Sequence, residues 1–307
     1  MPGISRNNRE LKSETGLTIG LSASSARAQL SLDWHVRAAT CAERWGLSRM
    51  QWSPEVSTAR VAYCDSPWGP ALLKVSVEPS MVGLEAKALA HFGNEMCPAL
   101  FAVDEELEAI LMERIEVLED LSAWYPNPLK EVEVWLPFYQ KVAENPVIPD
   151  GFPTLAKYAE IFDRILAEPL REDVIPILEF ARDSQEALMG PVGENRLLHG
   201  DMHHFNLLRD TGGGWRLIDP HGVVGNPYYE LGAFLRNPWG PCYREPGVMQ
   251  RLSARVAILA ERIGIDATKV ALYGFYGAAF SVAWSLEEGS DDIDGMVVMA
   301  DSCLRLL

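Results

Sequence analysis

The order of patterns along these 307 residues predicts an α+β fold with two lobes, a small antiparallel-sheet lobe followed by a mainly helical one. Three observations carry that reading. Short β-prone runs with turn chemistry between them are confined to about residues 50–112. Apolar residues at helical spacing dominate the long segments from residue 155 onward. Between these, Leu197–Leu208 sets a polar cluster between two short apolar runs, and Ile218-Asp219-Pro220 follows as the end of a second strand.

Met1 to about Ser25 is polar and without periodicity, so residues 1–25 are expected to form a mobile tail. Leu30, Trp34, Ala38, Cys41 and Trp45 then recur at helical spacing before Gly46, which predicts an amphipathic helix over Ala26–Leu47. Met50-Gln51-Trp52, Val56–Tyr63 and Ala71–Val77 read as strands, the last two joined by a turn over Asp65–Pro70. Met81–Phe92 reads as a helix, and Ala99–Val103 and Ala109–Met112 as two more strands around the acidic turn Asp104-Glu105-Glu106. After Glu113-Arg114-Ile115 a polar helix start is expected. The lobes therefore divide as 26–116, a sheet-bearing N-lobe, and 117–307, a C-lobe with the polar loop.

Pro126, Pro128, Pro137, Pro146, Pro149 and Pro153 should break the next region into helices and loops, with Leu155–Ala167 and Val174–Met189 the clearest helices. Gly212-Gly213-Gly214 predicts a hairpin turn returning into Trp215–Asp219. A helix starts near Asn226–Leu231, and Val248–Ile263 and Val270–Leu286 are long helices, the first stopped by Gly264.

The chain carries 27 basic and 43 acidic residues, a formal net charge of −16. Nucleic acid and anionic membrane surfaces need a basic footprint and are excluded as partners on this balance. A cationic or polar small molecule suits it, although net acidity also serves solubility alone. Cys41, Cys64, Cys97, Cys242 and Cys303 are odd in number and scattered, with no zinc spacing. Reduced thiols, no signal-peptide core and no apolar run near the ~20 residues of a membrane span make a cytoplasmic protein the expectation.

Asp201 and Asn206 stand five positions apart, and Asp219 lies eighteen beyond Asp201. The pattern suits metal-assisted phosphoryl transfer. One carboxylate meets the acceptor hydroxyl, while an amide and a second carboxylate offer hard oxygen ligands to magnesium on nucleotide phosphates. Lys74 lies inside an apolar strand, where an ammonium needs partners unless it faces water from an edge. Glu85 in the following helix can supply one. His199 is expected to bond backbone and hold the loop. With His203 and His204 it also allows a transition-metal site, the lesser reading without established spacing.

These residues resemble a known family. His199-Gly200-Asp201-Met202-His203-x-x-Asn206 followed by Ile218-Asp219-Pro220 is similar to the signature of the aminoglycoside phosphotransferases, relatives of protein kinases. Glu43–Leu47, Leu72–Ser76, Asp219–Pro227, Glu230-Leu231 through Leu235–Pro238, Ala257–Gly264 and Ala283–Glu287 resemble the streptomycin/hydroxyurea kinase branch. The resemblance runs from about residue 30 to 290. It implies a bilobal protein-kinase-like fold with ATP in the cleft and Asp201 as the catalytic carboxylate. It also implies Asn206 and Asp219 on Mg2+, and Lys74 held by Glu85 on the phosphates. Met112 would end the hinge strand, with the Glu113 carbonyl and the Ile115 amide meeting adenine.

Two departures stand out. The loop Ser53–Arg60 has no glycine, so its hold on phosphates is expected to use hydroxyls or a looser loop. His203-His204-Phe205 is bulky and expected to crowd the catalytic loop. The expected activity is ATP-dependent phosphorylation of a small-molecule hydroxyl, streptomycin-like by resemblance. A metabolic kinase for a sugar or amino alcohol, or a kinase-like binding protein without catalysis, are the alternatives. The acceptor is expected between Asp201 and the helical lobe, where Glu230, Glu288, Asp291 and Asp292 are the acidic residues to follow.

Overall fold

The computed structural model of the chain describes residues 23–54, 59–77, 81–190, 194–238, 246–290 and 292–307. Residues 1–22 of the expected tail, Glu55–Thr58 of the glycine-free loop, Cys242 and Asp291 lie outside the described residues. Helix α1 (Ala23–Trp45) ends where Gly46 turns left-handed at φ 64°, so that the Leu47 amide can donate to the Ala42 carbonyl at 2.9 Å. Five strands follow: β1 (Ser48–Trp52), β2 (Ala59–Ser66), β3 (Gly69–Ser76), β4 (Leu100–Asp104) and β5 (Ala109–Glu113). They form one antiparallel sheet in the order β1-β2-β3-β5-β4. The β2–β3 turn is tighter than the sequence suggests. Pairing continues to Ser66↔Gly69, leaving only Pro67 and Trp68 in the loop.

The two-residue period of the strands gives the sheet two different faces. Ala62, Cys64, Ala71, Leu73, Val75, Ala109 and Leu111 are buried against Ala38 and Cys41 of α1, with Trp34 and Trp45 packed alongside. Arg37 pins that helix down by donating to the carbonyls of Ser76 and Leu107 at 3.0 and 2.9 Å. The opposite face presents Leu72, Lys74, Ile110 and Met112. There α2 (Met81–Phe92) lays a buried stripe of Val82, Glu85, Ala86 and Leu89 at spacings of three and four. That stripe is continuous with the large core of the second lobe.

Beyond residue 116 the expected helix start is instead a strand, β6 (Val117–Asp120), followed by a 3-10 turn over Leu121–Trp124. β6 exists because it pairs with a segment some ninety residues later, which no local pattern announces. The proline-rich region also departs from expectation. α3 (Pro128–Glu144) starts on Pro128, where the missing amide costs nothing, and runs unbroken through Pro137. Burial of Trp135, Phe138 and Tyr139 on both sides of Pro137 outweighs the lost hydrogen bond.

α4 (Leu155–Leu166), capped by Thr154, and α5 (Ile175–Met189) come next. Two small sheets then build the cleft floor: β7 (Arg196–Leu198) with β10 (Val223–Gly225), and β6 with β8 (Leu207–Asp210) and β9 (Trp215–Leu217). The lobe closes with α6 (Glu230–Leu235), α7 (Val248–Ile263), α8 (Ala267–Glu287) and α9 (Asp294–Leu304). Among the described residues no helix is long and apolar enough to cross a membrane.

α6 crosses α8 on a glycine pair. A Cβ on Gly277 would lie 2.5 Å from the Gly232 Cα, and one on Gly232 would lie 2.9 Å from the Gly277 Cα. Backbone rather than flexible side chain would have to move. Gly277→Ala should therefore lower stability by about 1–3 kcal/mol, the usual cost of overpacking. Chemical denaturation reads this directly, and an unchanged midpoint would show that the helices can separate freely.

Candidate active site

Buried Leu197 and Leu198 of β7 deliver the chain into the polar loop, and β8 takes it away after a 3-10 turn over His204–Asn206. The loop is tied to itself. His199 is fully buried, its Nε2 lies 2.8 Å from the Ile218 carbonyl and its Nδ1 accepts the Asp201 amide at 3.2 Å. This pattern requires a neutral ring with the proton on Nε2. Burial pushes its pKa down to about 3, against the pull of Asp201. The Asn206 side-chain amide donates to the Asp201 carbonyl at 3.0 Å, and the Asn206 backbone carbonyl receives the Ile218 amide at 2.9 Å. The backbone-holding role expected of His199 is what the geometry shows.

Asp201 has both carboxylate oxygens engaged. Arg236 Nη2 lies 2.7 Å from Oδ1, and His203 Nε2 lies 3.1 Å from Oδ2. Burial alone would raise its pKa, but His203 and then Arg236 hold it well below the usual carboxylate range. Across the cleft, Lys74 Nζ sits 2.9 Å from Glu85 and 3.1 Å from Asp219 Oδ1. Burial works against that ammonium; Asp219 and then Glu85 overcome it and hold its pKa above the ordinary value. Lys74 in turn draws the Asp219 carboxyl down, while burial leaves Glu85 raised in spite of Lys74.

Asp219 takes a left-handed backbone, φ 56°, one of three non-glycine residues among those described to do so. Such a conformation costs on the order of 1–3 kcal/mol and is held by its surroundings. Here it turns the carboxylate back toward the sheet lobe directly after β9. Lys74, Glu85 and Asp219 are thus one cluster, and Asp201 and Asn206 another on the same loop floor. Met112 is buried on the cleft face of β5. The Glu113 carboxylate receives the Ala99 amide at 3.1 Å, and Ile115 lies in the extended stretch just past β5. A cavity of about 520 Å³ lined by Trp68, Phe101, Glu113, Arg114 and Arg216 sits at this hinge and includes none of the two charged clusters.

The bulk of His203-His204-Phe205 does not crowd the loop, because the three side chains part. His203 meets Asp201, His204 turns into the C-lobe interior beside Glu131, and Phe205 faces solvent. The same divergence speaks against the transition-metal reading: His199, His203 and His204 turn to different atoms, and no group of three or more His, Cys, Asp or Glu placed to hold a metal occurs among the described residues. Glu230 is corrected too. It is fully buried under the loop, where Oε1 accepts the Gly200 amide at 3.0 Å, so it faces backbone rather than an acceptor. Glu288 and Asp292 are exposed past α8.

Sequence reasoning gave no role to Arg236, Glu131, Trp135 or Arg255, and did not place His203 on the Asp201 carboxylate. Trp135 Nε1 donates to the Met202 carbonyl at 2.9 Å, and Glu131 and Arg255 form an ion pair around His204. A usable signal existed. Glu131 and Arg255 each fall on the apolar stripe of their helix, beside Val132 and Val256, where a charge demands a buried partner.

A sheet lobe carrying a helix-paired lysine, set over a helical lobe carrying this Asp/Asn/Asp floor, defines a protein-kinase-like phosphotransferase fold. A thermostable aminoglycoside phosphotransferase mutant, crystallised as a ternary complex with ADP and hygromycin B, superposes at TM-score 0.62 with 17% identity, covering 87% of this chain and 96% of that one. At that identity the likeness speaks for the fold. A profile of the aminoglycoside/hydroxyurea antibiotic resistance kinases matches residues 44–289, and the chain belongs to that family. A streptomycin 6-kinase of Streptomyces glaucescens is 29% identical over 118 residues, 38% of either chain. A second, from Streptomyces griseus, is 25% identical over 260 residues, 82% of either chain. The chain thus spans well under two thirds of the first of these relatives and most of the second.

The buried titratable groups have a pH signature. His199 and His204 are pushed down by burial to about 3 and about 4, so the stability they lend is present above ~6.5 and lost as pH falls toward those values. Glu230 is raised to about 7, chiefly by burial, against the pull of the Gly200 amide. Its contribution has the opposite sign, present below ~4.5 and lost as pH rises through 7. Glu230→Gln keeps an acceptor for Gly200 and removes that offset. Its melting temperature should fall more steeply than the parent's between pH 7 and 4.5. Parallel curves by calorimetry would place Glu230 in an ordinary carboxylate environment.

Proposed function

We propose that the chain is an ATP- and Mg2+-dependent phosphotransferase acting on a hydroxyl of a small molecule, with a streptomycin-like aminoglycoside as the acceptor class. The supporting observation is the single ammonium of Lys74 shared between Glu85 on the sheet lobe and Asp219 on the helical lobe, opposite Asp201. The family membership and the streptomycin kinase relatives support the acceptor class. In this reading residues 26–116 bind the nucleotide, and residues 117–307 carry the catalytic loop and the acceptor site, in a cytoplasmic enzyme.

The donor set fits a hard divalent cation. Asp219 keeps one oxygen on Lys74 while its side chain remains about half exposed to the cleft (49%). Asn206 turns its nitrogen to the Asp201 carbonyl, which directs the amide oxygen away from Asp201. Magnesium held there would neutralise charge on the phosphates. Lys74 would contact phosphate oxygens, with Glu85 fixing its reach from α2. Met112 closes the hinge end of the cleft, with the Glu113 carbonyl and the Ile115 amide as the polar edge for adenine.

Asp201 stays ionised throughout the physiological range because His203 and Arg236 favour its charged form. A carboxylate so stabilised is a weak base. Its part is to accept the acceptor O–H and aim the oxygen, taking the proton only as the phosphoryl group arrives. The overall acidity of the chain attracts cationic acceptors, whereas the Arg236 guanidinium keeps cationic groups from the immediate neighbourhood of Asp201.

Asp201→Ala should cut kcat with streptomycin and MgATP on the order of 10²- to 10⁴-fold while leaving nucleotide binding intact. ADP release read against a panel of aminoglycosides, sugars and amino alcohols measures it, and full turnover in the variant would remove Asp201 from this role. MgATP at a hundred times its Kd should also stabilise the fold by about 2.7 kcal/mol. Lys74→Met should abolish most of that gain. A thermal shift absent from the parent would favour a scaffold protein that does not bind the nucleotide.

A further inference from the structure

Asp201 is gripped on both sides, and the two grips share one buried anchor. Arg255 of α7 is 2% exposed and lies well below the cleft. Its Nη1 donates to the Asn237 carbonyl and reaches the Leu235 carbonyl at 3.5 Å, the two peptide oxygens that flank Arg236. Its Nη2 pairs with Glu131 of α3 and lies 3.2 Å from His204 Nε2. His204 Nε2 is also 3.1 Å from Glu131 Oε2, and its ring stacks on Phe234 at 4.9 Å and 17°. His204 adjoins His203, the second residue on Asp201. One guanidinium thereby fixes the backbone on either side of Arg236 and, with Glu131, the ring next to His203.

We propose that Arg255 is a positioning residue for phosphoryl transfer, setting Arg236 and His203 as a two-sided clamp on the Asp201 carboxylate. The proposal rests on the reading of Asp201 as the group that meets the acceptor hydroxyl. Arg236, His203 and Asp201 are each about one-sixth exposed at the side chain (17%, 15% and 17%) and together form the cleft floor, whereas Arg255, Glu131 and His204 are sealed beneath it.

An arginine suits this place for a chemical reason. Its planar fork spans two carbonyls and a carboxylate at once, a geometry that a lysine ammonium lacks. The burial of an ion pair also makes the arrangement stiff, because moving either partner strands a charge in apolar surroundings. The clamp leaves Asp201 with fixed lone-pair directions toward the acceptor. Rotation of the carboxylate would misplace the hydroxyl, and a displacement of about 1 Å from productive geometry costs roughly 10²-fold in rate.

The experiment compares Arg236→Met, Arg236→Lys, Arg255→Met and the double variant Arg236→Met/Arg255→Met, using streptomycin and MgATP. Arg236→Met, on the cleft floor, and Arg255→Met should each lower kcat by about 10²-fold with the KM for MgATP unchanged. Arg236→Lys, which keeps a cation beside Asp201, should recover part of the loss. Because both singles act through one carboxylate, the double variant should be no slower than the slower single. Should Arg255→Met alone fail to fold, Glu131→Gln/Arg255→Met removes both buried charges and reports the same kcat loss.

A folded Arg255 variant with parental kcat would overturn the proposal, as would losses that multiply in the double variant. Absence of turnover in the parent with streptomycin is a failure of the functional reading and is distinguishable. A crystal structure of the Arg255→Met protein then decides the positioning claim: Arg236 withdrawn from Asp201 supports it, and Arg236 still 2.7 Å from Oδ1 refutes it.

Discussion

The ammonium of Lys74 joins the two halves of this molecule. It stands in the middle of an apolar strand, so an unpaired charge there would be costly, and it is satisfied by Glu85 from one lobe and Asp219 from the other. Each partner has its own support. Glu85 lies in the buried stripe of α2, whose apolar neighbours belong to the core of the helical lobe. Asp219 reaches the lysine only because its backbone accepts a left-handed turn. The cost of burying Lys74 and Glu85 is offset by the attraction of the ammonium to its two carboxylates, and the relative placement of sheet and loop follows from it.

A second layer of buried charge lies deeper and serves a different end. Glu131 and Arg255 pair in the interior of the helical lobe, with His204 wedged against them and Trp135 bonded to the Met202 carbonyl. Apolar side chains of similar volume would pack there at no electrostatic cost. Their replacement by a charged network is understandable if the loop above needs defined hydrogen-bond directions rather than packing alone. Glu230 completes the support from α6, held in place by the glycine contact between α6 and α8. The loop backbone is thus bonded to α3 at Met202, to α6 at Gly200, and to the segment 218–222 at His199 and Asn206.

The loop's internal bonding was legible in the residues because it is local. Asp201, Asn206 and the ring of His199 fold onto one another within seven positions, and Asp219 follows on the next strand. The sheet face that buries Lys74 was legible as well, since strand alternation and helix periodicity put Lys74 and Glu85 on facing surfaces. Where expectation failed, the deciding contact was remote. β6 is a strand only through β8, and α3 passes Pro137 because aromatic burial on either side outweighs one hydrogen bond. Glu230 reads from the sequence as an acid facing the acceptor because nothing in its neighbourhood shows that a backbone amide thirty residues earlier would engage it.

By itself, then, the sequence determined the order of the lobes, the polar loop and the lysine–glutamate pair, all of which follow from periodicity or from residues a few positions apart. Tertiary structure alone decided what holds the central carboxylate. Arg236 is 35 residues from Asp201, and Arg255 is 124 residues from Glu131. Periodicity reports which side of a helix is buried, and it is enough to place both Glu131 and Arg255 as charges in apolar stripes, a signal the sequence reading left unused. It carries no information about which distant charge completes each pair, because that choice is made by the packing of α3, α6 and α7 around the loop.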